Sequence, residues 1–354
     1  MATWGEHRGV EDPLPQTSGL TIKAKHTVAT RYTLTDVSLT SSGDVEIIGA
    51  VRSIPVQICS FLPSATEILY ALDLGDSVAG VTFECDYPPE ARQKAVVVNT
   101  VLKHGLSPEQ IDLEASDSAA HGHSLYTVDI EALRRIAPEL VITQELCDVC
   151  AISTSHLVRV LAELSPQPKV LPLTPHALED VLLDIEKVGA AAGCEKKATE
   201  LVAKLRGRIA RVESRSKSDC PKVACLEWLN PFYNAGHWIP EMVKIAGGND
   251  LLAARGEYST RITPEAVIEA TPEVIVVMPC GYDMRKAKEE YCRTSFASSW
   301  GNVPAVRNRR VYAVHASAYF SRPGPRLIDG IEILYSLLHE DFSQPLPPDS
   351  WTQI

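Results

Sequence analysis

Between residues 195 and 214 the apolar positions fall at Ala198, Leu201, Val202, Leu205, Ile209 and Val212. Spacings of three and four put them in one stripe along a helix, with lysines and arginines on the other faces. Gly207 costs such a helix about 1 kcal/mol without breaking it, so the stretch predicts a rod about 30 Å long. On either side the pattern changes to short apolar runs separated by helical stretches, which implies parallel sheets with crossover helices. Before the rod, 56–61 and 78–82 read as strands. Between them lies a helix over 66–74, with Ser64 as its N-cap and Glu67 closing a capping box. IEALRRIAPELVIT reads as helix, proline turn and buried strand over 140–143, 169–173 as a further strand, and 176–192 as a helix.

After the rod the pattern restarts. Residues 222–226 predict a strand, 240–246 and 264–270 helices, and TPEVIVVMP repeats the helix–proline–strand sequence of APELVIT. A strand over 310–314 and a helix over 325–338 complete the second half, and the proline-rich 341–354 predicts an extended, peripheral tail. Ahead of both halves, 31–39 and 45–51 alternate around a Ser-Ser-Gly-Asp turn signal, as a hairpin or a loose tail. The expected organisation is an N-terminal extension over 1–53, a first lobe over 54–175, connecting helices over 176–215, a second lobe over 216–341 and a tail over 342–354.

Composition narrows the function. A net charge of −11 over 354 residues argues against a nucleic-acid partner, which needs clustered Lys and Arg. No apolar run reaches membrane-spanning length, so no membrane insertion is expected. The first twenty residues lack the pattern of a secretory leader, and nine irregularly spaced cysteines fit reduced thiols better than a disulfide framework. Both point to a cytoplasmic protein.

Ligand chemistry in parallel α/β folds gathers beyond the carboxyl ends of the strands. Five post-strand stretches there carry distinctive residues: FECDYPP, QELCDVC, EWLNPFYNAGHWIPE, PCGYD and HASAYFSRPGPR. Cys147 and Cys150 form a single CxxC that Cys85 and His237 would extend into a metal set; the bland reading is small half-buried thiols. Trp228 and Trp238 are either packing residues or ligand platforms. Arg322 and Arg326 either cap local carbonyls or bind an anion. His104, His121 and His123 lie in a polar insertion and read as solvated. No P-loop, GxGxxG or Ser-His-Asp order is present.

The runs ICSFLPSATEILYALDLGDSVAGVTFECDYPPEA, SLYTVDIEALRRIAPELVITQELCDVCA, LEWLNPFYNAGHWIPEMVKIAGG and YFSRPGPRLIDGIEIL resemble the cobalamin-type substrate-binding proteins of ABC importers. These belong to the helical-backbone (class III, TroA-like) group of periplasmic binding proteins, and the resemblance spans 55–340. It implies an α/β fold of two Rossmann-like lobes with parallel sheets joined by one long backbone helix, and a small-molecule ligand between the lobes. The ligand-facing residues it implies, with the post-strand loops, are Glu84, Cys85, Tyr87, Ser124, Tyr126, Gln144, Trp228, Asn230, His237, Trp238, Tyr282, Tyr319 and Arg322. The family's acidic permease-docking position matches Glu131 in the first lobe, but its counterpart in the second is Lys244, which would repel permease arginines.

The expected function is non-enzymatic binding of cobalamin, another corrinoid or a related metal chelate. The alternative is a metalloenzyme holding zinc or cobalt on Cys85, Cys147, Cys150 and His237, with Glu84 or Asp86 moving protons.

Overall fold

A computed structural model describes residues 56–103, 105–121, 124–144, 161–215 and 220–354, with four short strands ahead of them. Those four pair antiparallel, β1 (Arg31–Thr33) with β4 (Arg52–Ile54) and β2 (Val37–Leu39) with β3 (Val45–Ile47), as a hairpin pattern requires.

The first lobe holds β5 (Ile58–Ser60), β6 (Val78–Thr82), β7 (Ala95–Thr100), β8 (Tyr126–Val128), β9 (Leu140–Gln144) and β10 (Lys169–Leu173) in the order β10-β9-β5-β6-β7-β8. All neighbours run parallel except β8, which is antiparallel to β7. Its helices include α1 (Pro63–Ala71), α2 (Pro108–His121) and α3 (Ile130–Ile136). The connection is made by α4 (Leu178–Ala191) and α5 (Glu195–Arg215), the anticipated rod.

The second lobe orders β12 (Phe232–Asn234), β11 (Lys222–Leu229), β14 (Val274–Val277), β15 (Val311–Val314) and β16 (Trp351–Gln353) in one sheet, with β13 (Asn249–Asp250) also on β11. Around it lie α6 (Ile239–Ile245), α7 (Pro264–Ala270), α8 (Met284–Arg293), α9 (Pro304–Arg307), α10 (Ala316–Tyr319) and α11 (Leu327–His339). Every residue of β14 and β15 is buried, because helices cover both faces of a parallel sheet.

The echo between the halves has a local cause. Asp129 caps α3 by accepting from the Ala132 amide at 2.8 Å, and Thr263 caps α7 by accepting from the Ala266 amide at 3.2 Å. Each helix then ends on a left-handed residue, Ala137 or Thr271, both with φ of 49°. Proline follows in both cases and forbids continuation.

The rod serves both lobes. Ala198, Val202, Leu205 and Val212 are buried along it, and Gly189 of α4 lets Ala198 approach so closely that a side chain there would collide with it. Near its start Lys197 meets Asp73 of the first lobe at 3.2 Å. Further along, Arg208 meets Asp329 at 2.5 Å and Glu332 at 2.6 Å on α11.

Three readings change. Helix α1 begins at Pro63, and Ser64 lies buried inside it rather than capping it. The polar insertion forms α2, where His121 bonds the Asp117 carbonyl at 2.9 Å; His104 and His123 lie outside the described residues. The tail ends in β16, which completes the sheet beside β15.

Asp250, beside β11, gives the fold a pH dependence. Burial pushes its carboxyl up to about 7, against the pull of nearby amides and the Cys225 thiol. Its folded pKa exceeds the unfolded value, so its contribution is complete below about pH 4 and is lost as pH rises through about 7. We expect Asp250→Asn to flatten the fall in stability across that window, a fall of up to about 1.4 kcal/mol per pH unit. Urea unfolding at several pH values checks this; parallel curves for the two proteins would contradict it.

Candidate functional site

The carboxyl ends of the two sheets face a cleft of about 1330 Å³. The loop after β6 supplies Phe83 and Glu84, and the end of β7 leads into Leu102, Lys103 and Leu106. The β11–β12 turn supplies Asn230 and Pro231, and the loop after β14 supplies Tyr282. The Phe83 and Tyr126 rings lie 6.5 Å apart on the first-lobe side. On the other side Tyr282 is braced edge-on by Trp228 at 5.6 Å. Lys103, Lys286 and Arg293 mix with Glu109, Glu265 and Glu290, so the cleft offers apolar faces rimmed by both charges. Burial, together with neighbouring Glu109, pushes the Glu290 carboxyl up.

Helix α2 spans the mouth of the cleft. Asp112 accepts from Arg261 at 2.7 Å and from the Tyr233 hydroxyl at 3.2 Å, and Asn230 donates to Glu109. First-lobe carboxylates thus hold second-lobe donors across the opening.

Behind the cleft the lobes are pinned by a buried cluster. Glu67 of α1 accepts from Arg326 at 2.8 and 2.5 Å and from Arg322 at 3.5 Å. Arg322 also donates to Asp86 at 2.5 Å and to the Glu84 carbonyl at 3.0 Å. The Arg326 guanidinium lies 4.0 Å over the Tyr87 ring and 5.6 Å from that of Tyr319. Burial pushes the Glu67 carboxyl up while both arginines pull it down. Both arginines are cross-lobe partners of carboxylates. Glu67, read from the sequence as half of a capping box, is their shared counter-charge.

A side pocket of about 190 Å³ adjoins the cleft, sharing Glu84 and Tyr126 with it and reaching Gln144, Cys280 and Arg322. Glu84 and Cys280 are each exposed on one side and crowded on the other. That crowding raises both pKa values, the thiol to about 12.

Of the residues expected to face a ligand, Glu84, Tyr126, Gln144, Asn230, Tyr282 and Arg322 line these two spaces. Ser124 accepts from the Tyr126 amide at 3.1 Å and sets that ring's position, while Trp228 braces Tyr282. Tyr87 and Tyr319 contact Arg326 instead. Trp238 is buried, its indole nitrogen donating to the Phe320 carbonyl at 2.8 Å. His237 sits against His176 and Tyr258, with ring centroids 6.4 and 5.3 Å away, and burial followed by His176 lowers its pKa.

Cys85 is buried beneath Thr66 and Thr82 at 3.1 and 3.3 Å, and burial raises its thiol's pKa. Cys147 and Cys150 lie outside the described residues. No group of three or more His, Cys, Asp or Glu side chains arranged to hold a metal occurs among the described residues. Phe83 and Phe232 also line the cleft, inside stretches singled out from the sequence though not named individually, whereas the wall formed by α2 was missed because its role depends on what faces it.

The family model for periplasmic binding proteins matches residues 58–318. A substrate-binding lipoprotein of an ABC transporter from Bacillus subtilis is 29% identical over 305 residues, covering 82% of each chain. The vitamin B12-binding protein of Photorhabdus laumondii is 25% identical over 293 residues, 82% of this chain and 90% of its own. Among solved structures, the periplasmic vitamin B12-binding protein of Vibrio cholerae superposes with a TM-score of 0.59 at 21% identity, over 81% of this chain and 98% of that one. The periplasmic heme-binding protein of Roseiflexus gives 0.60 at 21% identity, over 81% and 99%. The two-lobed α/β architecture is therefore shared. These findings overturn the cytoplasmic location expected from the first twenty residues: the matching family is periplasmic and the Bacillus relative is a lipoprotein, both extracytoplasmic kinds. With three-quarters of its length matched by that family, and the same two lobes around one cleft, the chain belongs to the periplasmic binding proteins.

Proposed function

We propose that the chain binds a corrinoid or a closely related flat metal chelate in the cleft between its lobes. The observation that carries this reading is the cleft itself. Its volume of about 1330 Å³ exceeds the ~300–1,000 Å³ of an ordinary small-molecule site, and aromatic rings stand on both sides of it. Relatives named as vitamin B12-binding proteins support the same ligand class.

Heme is the nearest competitor, since heme-binding proteins share the fold. Heme iron takes a His, Met, Cys or Tyr ligand from its protein. Among the described residues lining the large cleft there is no His, Met or Cys, and Tyr126 and Tyr282 are its tyrosines. Either tyrosine is a ligand that heme iron accepts, whereas a corrinoid that arrives with its axial positions filled needs none, so the lining admits both chelates and the titration below separates them.

For delivery to a permease, one candidate docking position is acidic and the other basic. Glu131 is exposed but pairs with Arg134 at 2.5 Å. Lys244 is exposed, and Glu241 is committed to the Leu178 amide at 3.0 Å and to Arg255 at 3.1 Å. Glu241 therefore does not stand in for the missing second acid.

Titration calorimetry with cyanocobalamin and with hemin tests the ligand. We expect Tyr126→Ala and Tyr282→Ala each to weaken cyanocobalamin binding about tenfold, the loss of roughly one stacked ring, with little change in the melting temperature of the apo protein. Binding of hemin alone would replace the corrinoid, and binding of neither would withdraw the reading. A second expectation concerns release. Arg261→Gln removes a tie between α2 and the second lobe and should speed cobalamin dissociation about two- to fivefold in stopped flow, as expected for one exposed ion pair. An unchanged rate would mean that α2 does not retain the ligand.

A further inference from the structure

The side pocket has a composition unlike that of the large cleft. Its polar wall is made by Ser64, Gln144, Cys280, Ser317, Ser321 and Arg322. At about 190 Å³ it has room for about six waters at ~30 Å³ each, enough for a short side arm but not for a macrocycle. The shared residues Glu84 and Tyr126 make it continuous with the large cleft, so a ligand filling the cleft can extend an arm into it.

Charge decides what kind of arm. Arg322 is the cation in the pocket's lining, but its guanidinium is already held by Asp86 at 2.5 Å, the Glu84 carbonyl at 3.0 Å and Glu67 at 3.5 Å. Arg326 is spent on Glu67. With Arg92 lying 4.0 Å from Asp86 on its outer side, three guanidiniums face the three carboxyl groups of Glu67, Glu84 and Asp86, and no positive charge is left over. A carboxylate entering the pocket would lose water without gaining a free cation. The Gln144 amide and the Ser317 hydroxyl, by contrast, make no side-chain hydrogen bond to another described residue. Together they present donors and acceptors side by side.

We propose that this pocket recognises a neutral primary carboxamide on the periphery of the ligand and discriminates against a carboxylate in the same place. A carboxamide both donates and accepts, matching Gln144 and the serine hydroxyls, whereas a carboxylate only accepts. Sites built to pair a specific polar group reject analogues that leave their own groups unpaired. The inference rests on the corrinoid reading above and deepens it, because it selects among macrocycles by their side arms rather than by their metal.

The test compares two corrinoids that differ in periphery: dicyanocobinamide, whose arms end in amides, and dicyanocobyrinic acid, whose arms end in carboxylates. With the full chain at pH 7, tryptophan-quenching titrations should show the amide form binding at least about tenfold tighter. Gln144→Leu should shrink that ratio by weakening the amide form. Asp86→Asn, which releases Arg322 from its closest carboxylate, should shrink it by strengthening the acid form. Equal binding of both probes, or a ratio untouched by either substitution, would overturn the amide pocket while leaving the corrinoid reading in place. If neither probe binds, the corrinoid reading fails and this proposal falls with it.

Discussion

A single buried carboxylate holds the two halves of this protein in register. Glu67 stands on the first helix of the first lobe with its side chain 2% exposed, and two arginines from the second lobe close on it. Removing one member of such a cluster typically costs about 3–5 kcal/mol, because the partner is left charged and out of water. The approach is close enough that a side-chain carbon added at Gly324, between the two arginines, would stand in ordinary contact with the Ser64 backbone and the Glu67 carboxylate. The same cluster stands behind the cleft and engages the Arg322 guanidinium with Asp86, Glu67 and the Glu84 carbonyl. Arg322 is thus a cross-lobe ion-pair partner that also lines the side pocket.

The rest of the frame reinforces this pin. One apolar core runs without interruption from α1 through α4 and α5 to α6 and α11, so the lobes share an interior as well as a cleft. Rotating one lobe against the other would break that core and the ion pairs with it. The contacts at the mouth are of another kind, since the ties of Asp112 and Glu109 to the second lobe are polar and largely exposed. Water competes well for such bonds. The molecule thus pairs a fixed floor with a cover held by weak bonds.

The details of the site show where sequence patterns lose their grip. Trp238 and Cys85 stand in loops rich in chemistry, yet both turn inward: one packs in the core with its indole satisfied by a carbonyl, the other beneath two threonines. The loop holding Cys85 does follow β6, whereas the stretch expected as a loop around Trp228 and Trp238 folds as the end of β11, the strand β12 and the start of α6; in both places the direction of each side chain depended on neighbours elsewhere in the chain. Helix α2 was obscured for a different reason. Its hydrophobic pattern is weak because one side faces a cleft and another faces water, so it lacks the apolar stripe of a core helix.

What the sequence determined by itself was local and periodic. The 3.6-residue stripe of α5, the alternation of strands with helices, and the matched cap–helix–proline–strand units around Ala137 and Thr271 follow from near-neighbour geometry, which needs no partner from afar. The pairing of elements was decided only in three dimensions. Glu67 and Arg326 are 259 residues apart, and Asp112 and Arg261 are 149 apart. Their roles arise when the two sheets aim their carboxyl ends at each other, and no pattern along the chain records which charge will meet which across a cleft.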